Sequence, residues 1–443
     1  MEPKLQQARE RTKRHASAYE RATGVTVDTG MDDERNEPMN SGRPKTTKRW
    51  ATVILGAATV LLTSVQCGTA NDEAGSAQPA GTVPPPRSSA ASAPASSTRP
   101  ESSPSPRAEQ APVPACEAVI AGMSPRQRLA QLVVVGVNAG DPQAAVKLVR
   151  DQQVGGIFLG GNETALLRNR ALDEVQRAAK VPVSVAIDEE GGRVQRIDTL
   201  DGDMPSARKM ASTMTPAQVR AKAAERGRQM LARGVTVDYA PDADITDQPD
   251  RDIVGDRSFG ANPDVARKYI LAFAQGLRDA GVQPVLKHFP GHGHASGDSH
   301  KGLVRTPPLA SLRKVDLVPY RDIAEYGEIG VMVGHLDVPD LTGGTPSTLS
   351  AAAYRLLRKD FAFDGPVITD DLGAMKAITS QYPLQTAVLK ALQAGADQAL
   401  WSSGGNVGTV LATLEQALAS GELPAGRVDE ALHRVLTAKR ACG

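Results

Sequence analysis

Residues 287–302, KHFPGHGHASGDSHKG, hold four of the seven histidines in this 443-residue chain, beside Lys287 and Asp298. They follow a short apolar run at 282–286 that has the texture of a strand. The Pro-Gly pair and Gly293 can shape a tight loop there. Side chains that titrate near neutrality, gathered on a loop directly after a strand, suit proton transfer better than packing. A second strand-like run ends in carboxylates, PVITDD at 366–371. The two strand ends are expected to face one substrate.

Something must hold those ends at one place. From Cys116 onward, apolar runs alternate with helical stretches. The runs fall at 132–137, 156–160, 181–187, 235–240, 282–286, 329–334, 365–369 and 396–401. Most are rich in Val, Ile and Leu with little polar alternation, as parallel strands covered on both faces should be. Between them lie stretches of helical texture such as 165–180, 216–233, 263–280 and 354–361. Eight such units predict an α/β fold, a (β/α)8 TIM-type barrel forming a single catalytic domain over 116–443. A doubly wound open sheet is the alternative, but no GxGxxG follows the first run.

The rest of the chain narrows the class. Formal net charge is +1, and no long block carries one sign. Nucleic acid is therefore not an expected partner. Aromatics make up 3% of the residues, too few for an extended stacking platform. Residues 1–44 are polar, without an apolar period, and are expected to be disordered or untranslated, with Met31 or Met39 as alternative starts. The basic stretch before the apolar residues 51–65 looks like a secretory signal, too short for a membrane span. Residues 45–67 then form a signal peptide ending at Cys67. That cysteine resembles the lipid-accepting one of a lipobox, although Gln66 departs from the small residue expected before it. Lipidation of Cys67 is the expectation; an uncleaved anchor and free secretion are the alternatives. Residues 68–115, rich in Ala, Pro and Ser, make a linker. The protein is expected outside the cytoplasm, held to the bacterial membrane only by this anchor, and monomeric. In an oxidising compartment Cys116 and Cys442, at the two ends of the barrel, could pair, which the chain-entropy model values at roughly 5 kcal/mol. Two free thiols are the alternative.

Catalytic groups of such a barrel gather at the C-terminal ends of its strands. There the chain places DEEGGR at 188–193, then Asp238, Asp242 and Asp244, the segment DRSFG at 256–260, Lys287, His288, Asp298 and His300, His335, and finally Asp370 and Asp371. Many carboxylates with a few cations and histidines suit a ligand dense in hydroxyls. KHFPGHG…DSH, IDEEGGRVQR, GDRSFG and ITDDLGAM, in this order, closely resemble the single-domain β-N-acetylglucosaminidase branch of glycoside hydrolase family 3, in a secreted form. The resemblance runs from about Cys116 to the C-terminus.

The resemblance implies an exo-acting retaining β-N-acetylglucosaminidase that takes terminal N-acetylglucosamine from cell-wall muropeptides or chitin-like oligosaccharides. It implies Asp370 as nucleophile and His300 as general acid/base, with Asp298 as the partner of His300. Asp188, Arg257, Lys287 and His288 become the sugar-binding set. No cofactor and no metal are implied. Asp371 is expected to be structural, with a helix N-cap as one such role given its position before Leu372. Asp242 and Asp244 are expected to be hydrogen-bonders of the rim, and His292 and His294 to pin the loop. His335 is expected either to line the pocket or to fill the rim, and His433 to lie at the surface. Gly293, Ala295, Ser296 and Gly297 would let the loop move. Other readings are a metal-dependent hydrolase using His288, His292, His294, Asp298 and His300, a non-catalytic wall-binding lipoprotein, and phosphorolysis in place of hydrolysis.

Overall fold

The structure, a computed structural model, describes residues 115–442. The expectations for 1–44, for the signal segment with Cys67 and for the linker up to residue 114 lie outside the described residues. No helix among the described residues is long and apolar enough to cross a membrane.

Eight parallel strands form the expected α/β barrel: β1 (Val133–Gly136), β2 (Gly156–Phe158), β3 (Ser184–Ile187), β4 (Val237–Asp238), β5 (Gln283–Phe289), β6 (Gly330–Val333), β7 (Val367–Thr369) and β8 (Ala399–Trp401). Each pairs with its neighbour in chain order, and β8 pairs back onto β1. Between β7 and β8 the ladder narrows to a bridge at Ile368 and Gln398. It is backed by the Thr369 N–H on the Gln398 carbonyl at 3.1 Å.

The near-continuous apolar runs are explained by two cores. One residue or more from every strand points into the lumen: Val134, Phe158, Ala186, Val237, Val285, Met332, Ile368 and Leu400 among them. Their neighbours, such as Val133, Val135, Val331, Val333 and Trp401, face outward into the larger core shared with the helices. A strand buried on both sides has no face left for polar residues.

The helices start where the sequence terminates the chain's other options. Thr215 and Gln218 form a capping box for Pro216–Ala232, and Asn262 caps Pro263–Asp279, with proline at the first turn of both. These two helices pack closely because Gly276 lets them. A Cβ there would lie 2.3 Å from the Arg220 carbonyl oxygen. The stretch at 165–180 is not one helix as expected. A 3₁₀ turn, Ala165–Leu167, and a helix, Leu172–Ala178, are separated by Asn169 and Arg170, both with positive φ. Helical texture also gives way at 354–361, where an α-helix, Ala351–Arg355, runs into a π-helical turn, Leu356–Asp360.

Cys116 and Cys442 are joined in a disulfide with Cα atoms 4.6 Å apart. It ties the first described helix, Ala115–Ala121, to the chain just past the last, Ala425–Ala438.

Candidate active site

The register of the sheet brings the polar strand ends together. Ile187 pairs with Asp238, and the Glu189 N–H donates to Asp238 Oδ1 at 2.9 Å, which ties the loop carrying Asp188 and Glu190 to the end of β4. Val333 pairs with Thr369, which sets Asp370 beside the chain leading to His335; the Asp370 N–H donates to the Val333 carbonyl at 3.0 Å. After β4 the chain runs along the end of β5. The Ala243 N–H donates to the Lys287 carbonyl at 2.6 Å, and Asp242 bridges to Lys287.

Paired charges make the floor. Lys287 Nζ lies 2.5 Å from Asp188 Oδ1 and 2.6 Å from Glu190 Oε1. Arg257 grips Glu190 with two nitrogens, at 2.7 and 2.8 Å, and reaches Asp242 at 3.3 Å. Arg196 approaches the other oxygen of Asp188 at 3.7 Å. Burial works against ionising Glu190, but Arg257 and Lys287 outweigh it and hold its carboxyl well below the usual range. Burial also works against charging Lys287, and Asp188 and Glu190 outweigh it, so the ammonium is held above its ordinary value. Asp242 differs. Burial and the Asp244 charge push it up to about 7, and its Oδ2 has no hydrogen-bond donor.

Histidines form the wall. His288 Nδ1 donates to Asp244 Oδ2 at 2.8 Å. Burial alone would lower the His288 pKa; Asp244 raises it. His335 is fully buried. Its Nε2 meets the Asp371 carbonyl at 2.9 Å and must carry the proton; its Nδ1 accepts from Thr348 at 2.7 Å. Burial pushes its pKa down, against the pull of Asp370 and the Asp371 carbonyl. Asp370 is 6% exposed. Burial opposes its charge, yet His335, His288 and the Asp371 N–H, which donates to Oδ1 at 2.8 Å, hold it below the usual carboxylate range. The site thus keeps an ionised aspartate with its second oxygen uncommitted.

Asp371 caps no helix, contrary to its expected N-cap geometry. Its Oδ1 accepts from Gly373 N at 2.8 Å and Ser402 N at 3.0 Å, and its Oδ2 takes the Ser402 hydroxyl, so it ties the β7 and β8 loops together. Asp298 and His300 form a pair on the loop beyond β5, with His300 Nδ1 2.9 Å from Asp298 Oδ1. Burial raises the Asp298 pKa, and the hydrogen bonds from His300 lower it by more. The His300 side chain is 64% exposed. The loop is stitched to the segment after Asp370: the Ala377 N–H donates to the Ser299 carbonyl at 3.1 Å. A polar cleft of about 660 Å³ runs between Arg257 and Asp298 along Arg193, Gln248 and Arg251; it meets the site at its edge, and Asp370, Lys287 and His300 do not line it.

The other histidines divide as their neighbours dictate. His292 donates its backbone N–H to Asp244 at 2.6 Å, and His294 Nδ1 pairs with Asp316 at 2.9 Å. Both anchor the loop. Gly293 is not a hinge. A Cβ there would lie 2.0 Å from the Ile245 carbonyl oxygen, so it serves close packing. His433 is half-buried and lines a cavity of about 990 Å³ at the opposite end of the barrel, far from the carboxylates of the rim. Metal-ligating atoms within 4.8 Å of one another occur among the described residues at Asp242, Asp244 and His288. There His288 Nδ1 is already bonded to Asp244, and Asp242 faces Arg257. The five-residue loop cluster of the metal-hydrolase reading does not assemble.

The structure brings Asp188, Arg257, Lys287, His288 and Asp370 into one floor and wall, with the Asp298–His300 pair on the loop above. Asp244 stands with them as the rim hydrogen-bonder expected, His335 fills the rim beside Asp370, and Glu190 joins the floor. Glu190 was visible inside DEEGGR, but adjacency in sequence did not say that it would join two cations from different strands.

A parallel barrel whose rim gathers buried carboxylates, cations and histidines at its strand ends suits a ligand dense in hydroxyls. Residues 125–438 match the Glycosyl hydrolase family 3 N terminal domain, and the chain belongs to glycosyl hydrolase family 3. It is 52% identical over 340 residues to Beta-hexosaminidase LpqI of Mycobacterium tuberculosis, covering 74% of this chain and 87% of that one. Among solved structures, M tuberculosis LpqI shares 50% identity with a TM-score of 0.70, over 74% of this chain and 96% of that one. The Beta-N-acetylhexosaminidase from Beutenbergia cavernae shares 27% with a TM-score of 0.65, over 72% and 99%.

Proposed function

We propose that the protein is an exo-acting, retaining β-N-acetylglucosaminidase that removes terminal N-acetylglucosamine from cell-wall muropeptides or chitin-like oligosaccharides. The β-hexosaminidase names of its relatives support the sugar class. The observation that carries the mechanism is Asp370, held below the usual carboxylate range, with Oδ1 taking the Asp371 N–H and Oδ2 taking no hydrogen bond among the described residues. In the first step Asp370 Oδ2 bonds to the anomeric carbon as the glycosidic C–O bond breaks. The leaving oxygen takes the proton of His300, which Asp298 orients. In the second, water attacks the same carbon, gives its proton to His300, and Asp370 leaves as carboxylate. Asp188 and Lys287, Arg257 and His288 supply the forked acceptors and donors for the sugar hydroxyls and amide.

Brief exposure to a slow fluorinated N-acetylglucosaminide, then peptide mapping by mass spectrometry, tests this. A glycosyl adduct on the peptide carrying Asp370 is expected. Turnover of the parent sugar with no adduct would refute the two-step route, and no turnover at all would return the chain to the binding-protein reading. Product analysis with and without phosphate separates hydrolysis from phosphorolysis. The sequence pattern around Cys67 supports export and lipid anchoring. The mass of the mature N-terminus checks it: an unmodified terminus beyond Cys67 rules the anchor out.

A further inference from the structure

Asp371 is buried and caps no helix, yet each of its polar groups is engaged. Its N–H donates to Asp370 Oδ1 at 2.8 Å. Its carbonyl accepts His335 Nε2–H at 2.9 Å, and the other nitrogen of that ring accepts from the Thr348 hydroxyl at 2.7 Å. Its carboxylate takes neutral donors from two loops. Oδ1 accepts the Gly373 N–H at 2.8 Å and the Ser402 N–H at 3.0 Å, and Oδ2 accepts the Ser402 hydroxyl. The seam between the ends of β7 and β8 is tight. The Leu372 N–H donates to the Leu400 carbonyl at 2.9 Å, and a Cβ on Gly373 would lie 2.6 Å from Ser403 Oγ and 2.8 Å from Trp401 Cβ.

We propose that Asp371, tethered to Ser402, is a positioning residue that aims the nucleophile: it presents its N–H to Oδ1 and leaves Oδ2 of Asp370 as the oxygen directed at the anomeric carbon. This rests on the reading of Asp370 as the nucleophile. The terminal torsion of an aspartate is broad, so a carboxylate left to itself turns easily. A donor at 2.8 Å, on a residue pinned through its carbonyl and its side chain, removes that freedom. The same N–H serves the second step. In the glycosyl-enzyme Oδ1 is the carbonyl oxygen of the ester, and the N–H meets the charge that returns to it as Asp370 leaves. The tether has one other route into the site. Its loop runs on to Ala377, whose N–H donates to the Ser299 carbonyl at 3.1 Å, next to His300. An effect on the acid and an effect on the nucleophile differ in what they do to leaving groups, and that difference supplies the test.

Asp371→Ala removes the tether, whereas Ser402→Ala removes one hydroxyl and leaves both backbone donors. Both are compared with wild type per folded molecule, with folding followed by circular dichroism. On the slow fluorinated N-acetylglucosaminide, the maximal labelling rate should fall about 100-fold in Asp371→Ala and about tenfold in Ser402→Ala, while the half-saturating concentration stays within about threefold. On turnover, kcat/KM should fall by the same factor for natural oligosaccharides and for activated aryl glycosides, because the aim of the nucleophile enters both. Labelling within about twofold of wild type in both variants overturns the proposal. So does a rise in half-saturating concentration at an unchanged maximal rate, as a merely structural role would give. A loss confined to natural oligosaccharides also overturns it, and assigns the tether to the His300 loop instead. If Asp371→Ala does not fold, Ser402→Ala decides by the same readings. Failure of the underlying reading looks different: in wild type the fluorinated sugar would label a residue other than Asp370.

Discussion

Glu190→Gln removes one charge from the floor and almost no volume. The carboxylate is 3% exposed and joins Lys287, also 3% exposed, to Arg257. Removing one partner of a buried ion pair costs about 3–5 kcal/mol, because a charge is left uncompensated. Here Lys287 keeps Asp188, and Arg257 keeps Asp242, so a loss of about 2–3 kcal/mol is expected. The two-nitrogen grip on Glu190 also aims the guanidinium. Losing it should lower kcat/KM on an aryl N-acetylglucosaminide about 100-fold, or roughly 2.7 kcal/mol. The pH dependence follows from the depressed pKa of Glu190. Its stabilisation is complete above the unfolded carboxylate value of about 4.3 and fades as pH falls from there toward the folded value. Urea melts should therefore show a constant gap between wild type and variant from about pH 8 to 5.5, narrowing below about 4.3. A variant within about 0.5 kcal/mol of wild type at neutral pH, with kcat/KM unchanged, would refute the argument that Glu190 holds the cations.

Two further outcomes follow from the loop and the termini. His300→Ala should cut release from natural oligosaccharides strongly, and less from substrates with activated aryl leaving groups, which need no proton; equal losses would count against His300 as the acid. Reducing the Cys116–Cys442 bond should lower stability by about 2–4 kcal/mol, since measured effects run below the chain-entropy value, and lower Tm by roughly 3–6 °C in a calorimetric scan with and without reductant; an unchanged Tm would show that the bond contributes nothing.

The sequence alone carried the barrel, because strands covered on both faces leave an unbroken apolar signature and the helices between them announce their starts with Thr215, Asn262 and the prolines that follow. It also carried the residue types of the site, since Asp188, Arg257, Asp298, His300 and Asp370 follow strands or sit on rim loops, while Lys287 and His288, expected just past a strand, close β5 itself. The break at Asn169 and Arg170 was hidden, because positive φ in ordinary residues is imposed by context and leaves no compositional trace. Which charges neutralise which was hidden for a different reason. Glu190 belongs to the loop after β3, Arg257 to the segment after β4 and Lys287 to β5, and only the register of parallel strands places their side chains within hydrogen-bonding distance. The same holds for Asp244 beneath His288 and for His335 beside Asp370. A single aspartate or histidine in a sequence shows that a group can titrate. The direction in which it is pushed depends on burial and on its neighbours across the rim, and those are decided by tertiary structure.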